Sequence, residues 1–295
     1  MIYNEWDVLL VDDEADVLNV SKLVMRDFEV YGLPLKIHTA ASKAEALALL
    51  RSKPENQFGL AVAFIDVVME SDTAGLELCQ AIREEMRNKL TQLFIRTGQP
   101  GVAPERAVID RYDINGYFTK AEATEDKLYS LVKSGVRQFL WSVYSLGTIT
   151  LLDNIIAVAD SREKVWAEFE RLYARNRAGA GLEGETPRPG FAMVGDEVLL
   201  VKGWDEQTAK DLVAQLDQQA GTPLGARGDK YVTDEQNHLL IKAVPQSSGP
   251  QSSGPQPAGS EFYWLTQSTF APPAEIVALM QHAFAGLATV WQKAK

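Results

Sequence analysis

The sequence predicts an α/β fold: a doubly wound, five-stranded parallel sheet, then a helical connector and a smaller α+β domain. Three observations support this. Up to about residue 122, short apolar runs alternate with segments of helical periodicity, the pattern of βαβ units. A helical stretch with few breaks follows from Thr124, and after residue 178 the order of elements changes. With 295 residues, 46% of them hydrophobic, the chain is long enough for two domains.

The first domain, predicted over residues 1–123, takes its strands from apolar runs bounded by polar or turn residues. A capping box, Ser42 with Glu45 three residues later, starts one of the intervening helices, and Pro104 starts another. Strand and helix therefore alternate through this part of the chain. The five predicted strands are DVLLV (7–11), LKIHTA (35–40), LAVAFID (60–66), QLFIRT (92–97) and GYFT (116–119).

Residues 124–177 are predicted to form two connecting helices that also join two copies of the chain. Thr124 is a suitable N-cap for the first, and the second places Val165, Phe169 and Leu172 on one face. The first helix carries more apolar side chains than one domain face is expected to bury, so the sequence predicts a homodimer. These side chains are Leu128, Leu131, Val132, Phe139, Leu140, Val143 and Leu146.

Residues 178–295 are predicted to form the α+β domain. The elements expected are a hairpin (191–203), a helix (205–220), two strands (238–244 and 261–267) and a final helix (273–293). Between the two strands, residues 245–260 repeat the pentapeptide QSSGP and offer nothing apolar to anchor them. We expect a flexible surface loop there.

Composition limits the function classes. A net charge of -11 disfavours a nucleic-acid partner. One cysteine, Cys79, excludes an internal disulfide and a cysteine-based zinc site, and its apolar neighbours predict a core position. The N-terminus lacks a basic segment before a long apolar one, and the uncharged run Gln138–Leu152 is short for a membrane span. The sequence thus predicts a cytoplasmic protein without membrane insertion.

Chemically distinctive residues follow the predicted strands at the point where each ends. Asp12, Asp13 and Glu14 follow the first strand, and the third and fourth strands end in Asp66 and Thr97. Lys120 follows the fifth strand. Because ligands of open parallel sheets bind at the carboxyl ends of the strands, we expect these side chains to converge.

Such a cluster suits phosphoryl transfer. Three neighbouring carboxylates repel one another unless a hard cation lies among them, and Mg²⁺ is the natural candidate. Asp66 ends the most apolar strand and is the best nucleophile toward phosphorus, with Asp12 and Asp13 holding the metal. Lys120 would pair with the phosphoryl oxygens, and the Thr97 hydroxyl would donate a hydrogen bond.

Four ordered motifs resemble the receiver domain of two-component response regulators: VDDE (11–14), FID (64–66), RTG (96–98) and YFTK (117–120). Longer stretches, among them VVMESDTAGLELCQAIRE and DRYDINGYFTKAEAT, are similar to one subgroup. There the receiver precedes an uncharacterised sensory-like domain, of GAF or PAS type by order of elements, and often a module that handles cyclic di-GMP.

The resemblance implies a flavodoxin-like receiver phosphorylated on Asp66 by a sensor histidine kinase or phosphotransfer protein. It implies Mg²⁺ held by Asp13, Asp66, Asp12 through water and the backbone carbonyl of Val68, and a switch formed by Thr97 and Tyr117. Receivers usually follow the lysine with proline, whereas Ala121 follows Lys120 here. A cis peptide at that bond would cost about 2.5–4 kcal/mol without proline. The sequence therefore leaves the direction of the Lys120 side chain open.

Other motifs favour simpler interpretations. The glycines Gly179, Gly181 and Gly184 follow a helix, so they indicate a linker and not a dinucleotide site. VGDEV (194–198) resembles a diguanylate cyclase hairpin but has Val194 in place of the first of its paired glycines and no accompanying substrate-binding motif, so we predict an ordinary turn. No catalytic set was found after residue 125, and we expect a non-enzymatic output through protein contacts or dimerisation. The alternatives are the regulatory portion of a cyclic di-GMP enzyme and, less favoured, a transcriptional regulator.

Overall fold

A computed structural model describes residues 3–52, 59–98, 105–171, 189–224, 228–245, 259–267 and 272–295. Within these ranges the chain forms two compact units, residues 3–143 and residues 144–295. The glycine motif at 179–184, Pro104 and most of the predicted loop 245–260 lie outside the described residues.

The first unit contains the predicted parallel sheet. Its strands are β1 (Trp6–Val11), β2 (Glu29–Val30), β3 (Leu33–Ala40), β4 (Val62–Asp66), β5 (Gln92–Thr97) and β6 (Gly116–Thr119), in the order β2-β3-β1-β4-β5-β6. The five predicted strands are confirmed and pair in parallel. The sixth, β2, is a two-residue antiparallel addition at the edge, too short to give a periodic signal.

The helices of the first unit follow the strands in turn. They are α1 (Ala15–Met25), α2 (Lys43–Ser52), α3 (Ala74–Gln80), α4 (Glu105–Tyr112) and α5 (Glu125–Ala157), the last of which continues into the second unit. The predicted cap of α2 is present, since the Ser42 hydroxyl accepts a hydrogen bond from the Glu45 amide at 3.1 Å. A π-helical turn, Ala81–Glu85, extends α3.

Both faces of this sheet are buried, which explains why its strands are almost continuously apolar. One face holds a cluster that joins Val11, Ile65 and Ile95 to the Leu50 side of α2 and to Cys79 of α3, confirming the buried cysteine. On alternate residues of the strands, Phe64 stacks on Phe94 at 5.5 Å and meets Phe118 edge-on. The period-2 alternation of side chains thus separates two apolar layers and leaves the charged residues at the strand ends.

The second unit is a six-stranded antiparallel sheet with three further helices in its described residues. Its strands are β7 (Gly190–Val194), β8 (Glu197–Lys202), β9 (Thr222–Pro223), β10 (Lys230–Thr233), β11 (His238–Ala243) and β12 (Phe262–Gln267), in the order β8-β7-β12-β11-β10-β9. The helices are α6 (Arg162–Phe169), α7 (Glu206–Asp217) and α8 (Ala274–Lys293). The predicted α+β class and the 191–203 hairpin are confirmed, and Gly195 supplies the positive φ of +56° in its turn. The short strands β9 and β10 were not predicted.

Helices cover both faces of this second sheet. On one face α7 packs through Val213 and Leu216 against strand residues that include Leu240 and Leu265. On the other face Phe169 of α6 lies within ring-contact distance of Phe262, Trp264 and Phe284. Phe169 and Val165 occupy the face that their spacing predicted, while Leu172 lies outside the described residues.

The apolar residues of α5 are distributed differently from the prediction. Leu128, Val132, Phe139, Leu140 and Val143 are buried, because they belong to the core and not to an open surface. The exposed apolar side chains of α5 are Trp141, Leu146, Ile149 and Ile156. Among the described residues, α5 and α8 are long and apolar enough to cross a membrane, a property shared by core helices of soluble proteins.

Gly75, at the start of α3, allows that helix to touch the end of β4. A Cβ at this position would lie 1.8 Å from the backbone oxygen of Asp66, and the Gly75 amide donates to the Val67 carbonyl at 3.0 Å. We expect Gly75→Ala to lower the free energy of unfolding by about 1–3 kcal/mol, the typical cost of overpacking a core. Urea denaturation of the variant and the wild type measures this difference.

Gly147→Ala is the matched control, because a Cβ at Gly147 in α5 meets nothing within 4 Å. There the same substitution should raise stability by up to about 1 kcal/mol through helix propensity. Equal changes in the free energy of unfolding at Gly75 and Gly147 would contradict the close approach of Gly75 to the Asp66 backbone.

Candidate functional site

The predicted site residues meet at the carboxyl edge of the parallel sheet. Strands β1, β4 and β5 are neighbours, and their register places Val11 beside Ile65 and Asp66 beside Arg96. Asp12, Asp66 and Arg96 are therefore level with one another at the ends of three adjacent strands. Strand β6 continues the edge and brings Lys120 to it.

The three aspartates form one cluster. Carboxylate oxygens of Asp12, Asp13 and Asp66 lie within 4.8 Å of one another, as the sequence predicted. Asp12 is fully buried and Asp66 is 4% exposed, while Asp13 is open to solvent. Two negative charges inside the fold require nearby cations or donors.

Lys120 supplies the first cation. Its Nζ lies 2.8 Å from Asp66 Oδ2, 3.0 Å from Asp12 Oδ2 and 2.7 Å from Glu14 Oε1. The residue begins a short 3₁₀ turn, Lys120–Glu122, which Thr119 and Glu122 close with a capping box. The described residues contain no cis peptide bond, so the Lys120–Ala121 bond is trans and the capped turn directs Lys120 to the aspartates.

The surroundings change the acidity of these groups. Burial raises the pKa of Asp66, while the hydrogen bond from Lys120 acts in the opposite direction. Burial also disfavours the charged form of Lys120, but its hydrogen bonds to Asp66, Glu14 and Asp12 are stronger in sum and raise its pKa. Lys120 lowers the pKa of the exposed Glu14. Lys120 is therefore a permanent cation of the site at neutral pH.

Arg96 supplies a second cation that the sequence reasoning missed. Its Nη2 lies 3.1 Å from Asp12 Oδ2, and its Nη1 donates to Ser21 Oγ of α1 at 2.6 Å. The side chain is 2% exposed. The available signal was its position inside QLFIRT, because a charge within a strand buried on both faces needs a partner.

The remaining predicted site residues lie close by in sequence and topology. Thr97 ends β5, is fully buried and pairs in register with Thr119. Tyr117 of β6 packs, partly buried, against the apolar cluster that contains Ile65 and Ile95. Val68 is half-buried two residues after Asp66. Their roles in hydrogen bonding, switching and metal binding stay predictions.

The donor set fits Mg²⁺. Both oxygens of Asp12 are engaged, by Arg96, Lys120 and the Glu14 amide. Asp13, by contrast, receives no hydrogen bond from another described residue and faces solvent. Oxygen donors from Asp13 and Asp66 are the ligands that a hard divalent cation prefers.

No protein-family model matches the chain. Over 134 residues it is 39% identical to 3'3'-cGAMP-specific phosphodiesterase 2 of Vibrio cholerae, a match that covers 45% of this chain and 25% of that protein. By its strand order and strand-end residues, the N-terminal unit resembles a response-regulator receiver domain, and it is called the receiver below. The match spans only a quarter of the relative's length.

Solved structures similar to the receiver also cover somewhat less than half of the chain. One is a response-regulator receiver domain protein from Clostridium thermocellum, with 18% identity and a TM-score of 0.37 over 45% of this chain and 95% of that one. Another is the signal receiver domain of an HD domain-containing protein from Pseudomonas fluorescens, with 19% identity and a TM-score of 0.38 over 46% and 97%.

The relative from Vibrio cholerae corrects one expectation. It is an enzyme, so the expected non-enzymatic output is wrong, and the comparison points to an enzymatic output instead. That expectation depended on motifs absent after residue 125, and such an absence says nothing of what a receiver controls.

Proposed function

We propose that this chain is a cytoplasmic two-component response regulator, phosphorylated on Asp66 by a sensor histidine kinase or phosphotransfer protein in the presence of Mg²⁺. The supporting observation is the position of Asp66, 2.8 Å from Lys120 Nζ and clustered with Asp12 and Asp13 at the strand edge. A buried carboxylate beside a fixed ammonium group is suited to become an acyl phosphate.

In the transfer, a carboxylate oxygen of Asp66 forms a bond to phosphorus, and the bond from phosphorus to the donor's imidazole nitrogen breaks. The electron pair of that bond stays on the imidazole, which then takes a proton from solvent. Lys120 donates hydrogen bonds to the phosphoryl oxygens. When bound, Mg²⁺ would be held by Asp13, Asp66, the Val68 carbonyl and, through water, Asp12, and it would offset negative charge on the phosphoryl oxygens.

The switch proposal concerns β5 and β6. Thr97 ends β5 beside Thr119 of β6, and Tyr117 lies two residues before Thr119. A hydrogen bond from Thr97 to the phosphoryl group would move the end of β5, and Tyr117 would follow by repacking on its apolar cluster. Strand β6 leads through the capped turn into α5, which would carry the change onward.

Asp66→Asn should abolish phosphorylation, because the amide is not a nucleophile toward phosphorus. Incubation of the protein with acetyl phosphate and Mg²⁺, followed by intact-mass measurement, should show one added phosphoryl group on the wild type and none on this variant. The matched control is Asp110→Asn, since Asp110 is exposed on α4, and it should be modified like the wild type. Equal modification of Asp66→Asn would contradict the assignment.

For the output, we infer that the receiver regulates turnover of a cyclic dinucleotide. The support is the 39% identity, over 134 residues of this chain, to a 3'3'-cGAMP-specific phosphodiesterase. The alternative from the sequence, the regulatory portion of a cyclic di-GMP synthesising or hydrolysing enzyme, is of the same kind but names a different cyclic dinucleotide.

Hydrolysis of 3'3'-cGAMP by the protein produced from its natural gene tests this output. We expect the rate to change severalfold when beryllofluoride, a non-covalent phosphoryl mimic, is added with Mg²⁺, and to stay constant in Asp66→Asn. Absence of hydrolysis in both states, or an equal response of the variant, would contradict the inferred regulation.

We also propose that two copies associate through the exposed apolar stripe of α5, defined by Leu146, Ile149 and Ile156. These side chains are 55–63% exposed, unusual for large apolar groups on one helix. A self-complementary helix face is a common two-fold interface. The stripe replaces the mostly buried set that the sequence had suggested.

Light scattering at micromolar concentration should give twice the chain mass of 32.6 kDa for the wild type. Ile149→Lys should give the monomer mass, because an ammonium group would have to be buried in the interface. Thr150→Lys, at the exposed neighbouring position, should remain dimeric. A monomeric wild type with and without beryllofluoride would overturn this proposal.

A further inference from the structure

We propose that Arg96 is the counter-charge that stays with Asp12 when Lys120 turns to the phosphoryl group, and hence a positioning residue for the phosphorylated state. The inference rests on the proposed phosphorylation of Asp66. It assigns a role to a side chain that neither binds the phosphoryl group nor ligates the metal.

The first step is the isolation of Asp12 from water. Its side chain is 0% exposed, and the hydrogen bonds and ion pairs that reach it come from protein groups. Oδ1 accepts from the Glu14 amide at 3.0 Å and from Lys120, while Oδ2 lies 3.1 Å from Arg96 Nη2 and 3.0 Å from Lys120 Nζ. Only Arg96 and Lys120 bring charge to it among the described residues.

The second step concerns the capacity of Lys120. Its ammonium group has three N–H donors, and it already serves Asp66, Asp12 and Glu14. A phosphoryl group on Asp66 adds anionic oxygens that compete for those donors. Glu14 is 62% exposed and can exchange Lys120 for water, but Asp12 cannot. Without Arg96, Lys120 could turn to the phosphoryl group only by leaving the buried Asp12 with no cation in direct contact, because Mg²⁺ would reach Asp12 only through water. The loss of a direct partner for a buried carboxylate is strongly unfavourable.

The third step is the rigidity of Arg96. The side chain reaches from β5 past the end of β4 to Asp12. Ser21 Oγ accepts from Nη1 at 2.6 Å and donates to the Val17 carbonyl at 2.7 Å, which ties the guanidinium to α1. Its buried Nε has no hydrogen-bond partner among the described residues. The guanidinium is therefore positioned to contact Asp12 and Ser21, although this leaves one of its donors without a hydrogen bond.

The test is a double-mutant cycle of Arg96→Met and Asp12→Asn, with the affinity for beryllofluoride at saturating Mg²⁺ measured by calorimetry. With Asp12 present, we expect Arg96→Met to weaken beryllofluoride binding by at least about tenfold, because Lys120 is retained by Asp12. In the Asp12→Asn background the buried charge is gone, and Arg96→Met should change the affinity by less than about threefold.

A second readout is Mg²⁺ binding in the absence of beryllofluoride. Removing a cation from an acidic site should leave the Mg²⁺ affinity of Arg96→Met equal to or tighter than that of the wild type, whereas a general loss of structure would weaken it. Arg96→Lys keeps a cation beside Asp12 and should retain most of the beryllofluoride affinity. Arg106→Met, at a side chain that is 95% exposed, is the matched control and should behave as the wild type.

The outcomes separate this inference from the function it rests on. A wild type that binds no beryllofluoride would overturn the phosphorylation proposal itself. A wild type that binds, with equal losses for Arg96→Met in both backgrounds or with no loss at all, would overturn the role of Arg96 alone. Weakened Mg²⁺ binding in both Arg96→Met and Arg96→Lys would likewise assign Arg96 a purely structural role.

Discussion

The receiver depends on the burial of two carboxylates at one edge of its sheet. Asp12 and Asp66 are almost without solvent contact, and each buried charge must be met by a cation held at a fixed distance. Lys120 arrives from β6 and Arg96 from β5, so the strand order β1-β4-β5-β6 is what allows cations from two strands to reach the buried acids. The charge balance of the site therefore depends on the order of the strands.

The packing around the edge serves the same constraint. Successive residues along each strand point to opposite faces of the sheet, so apolar side chains cover both faces. The charged residues of the site lie at the carboxyl ends of the strands, where the strand pairing ends. Gly75 brings α3 against the backbone of Asp66, and Ser21 of α1 holds Arg96, so helices on both sides fix the strand ends. A capped turn at Lys120–Glu122 does the same for the lysine. The side chains of the site are thus set by elements that are themselves well packed, as the proposed phosphoryl transfer would require.

Much of this was predictable from the sequence, and the failures have physical reasons. The five long strands carried a strong apolar signal, and the acids and the lysine could be placed because parallel strands end together. β2 and β9 have two residues each, too few for any periodicity. The partners of Arg96, one on α1 and one after β1, are 75 and 84 residues away, so only the fold brings them together. On α5, apolar content alone could not separate the buried Phe139 from the exposed Ile149.

A second cluster of charges shows why the edge of the receiver, and not just any group of ionised side chains, suits a divalent cation. In the second unit Asp217 lies 3.0 Å from both Lys230 and Lys242 and accepts from the Tyr263 hydroxyl. There two cations share one carboxylate, so the group is already positive and repels a further cation. At the receiver edge, the four acids Asp12, Asp13, Glu14 and Asp66 outnumber the two cations Lys120 and Arg96, and the excess negative charge collects on the side where Asp13 meets solvent. The two clusters therefore have net charges of opposite sign, and only the negative one at the receiver edge would attract a divalent cation.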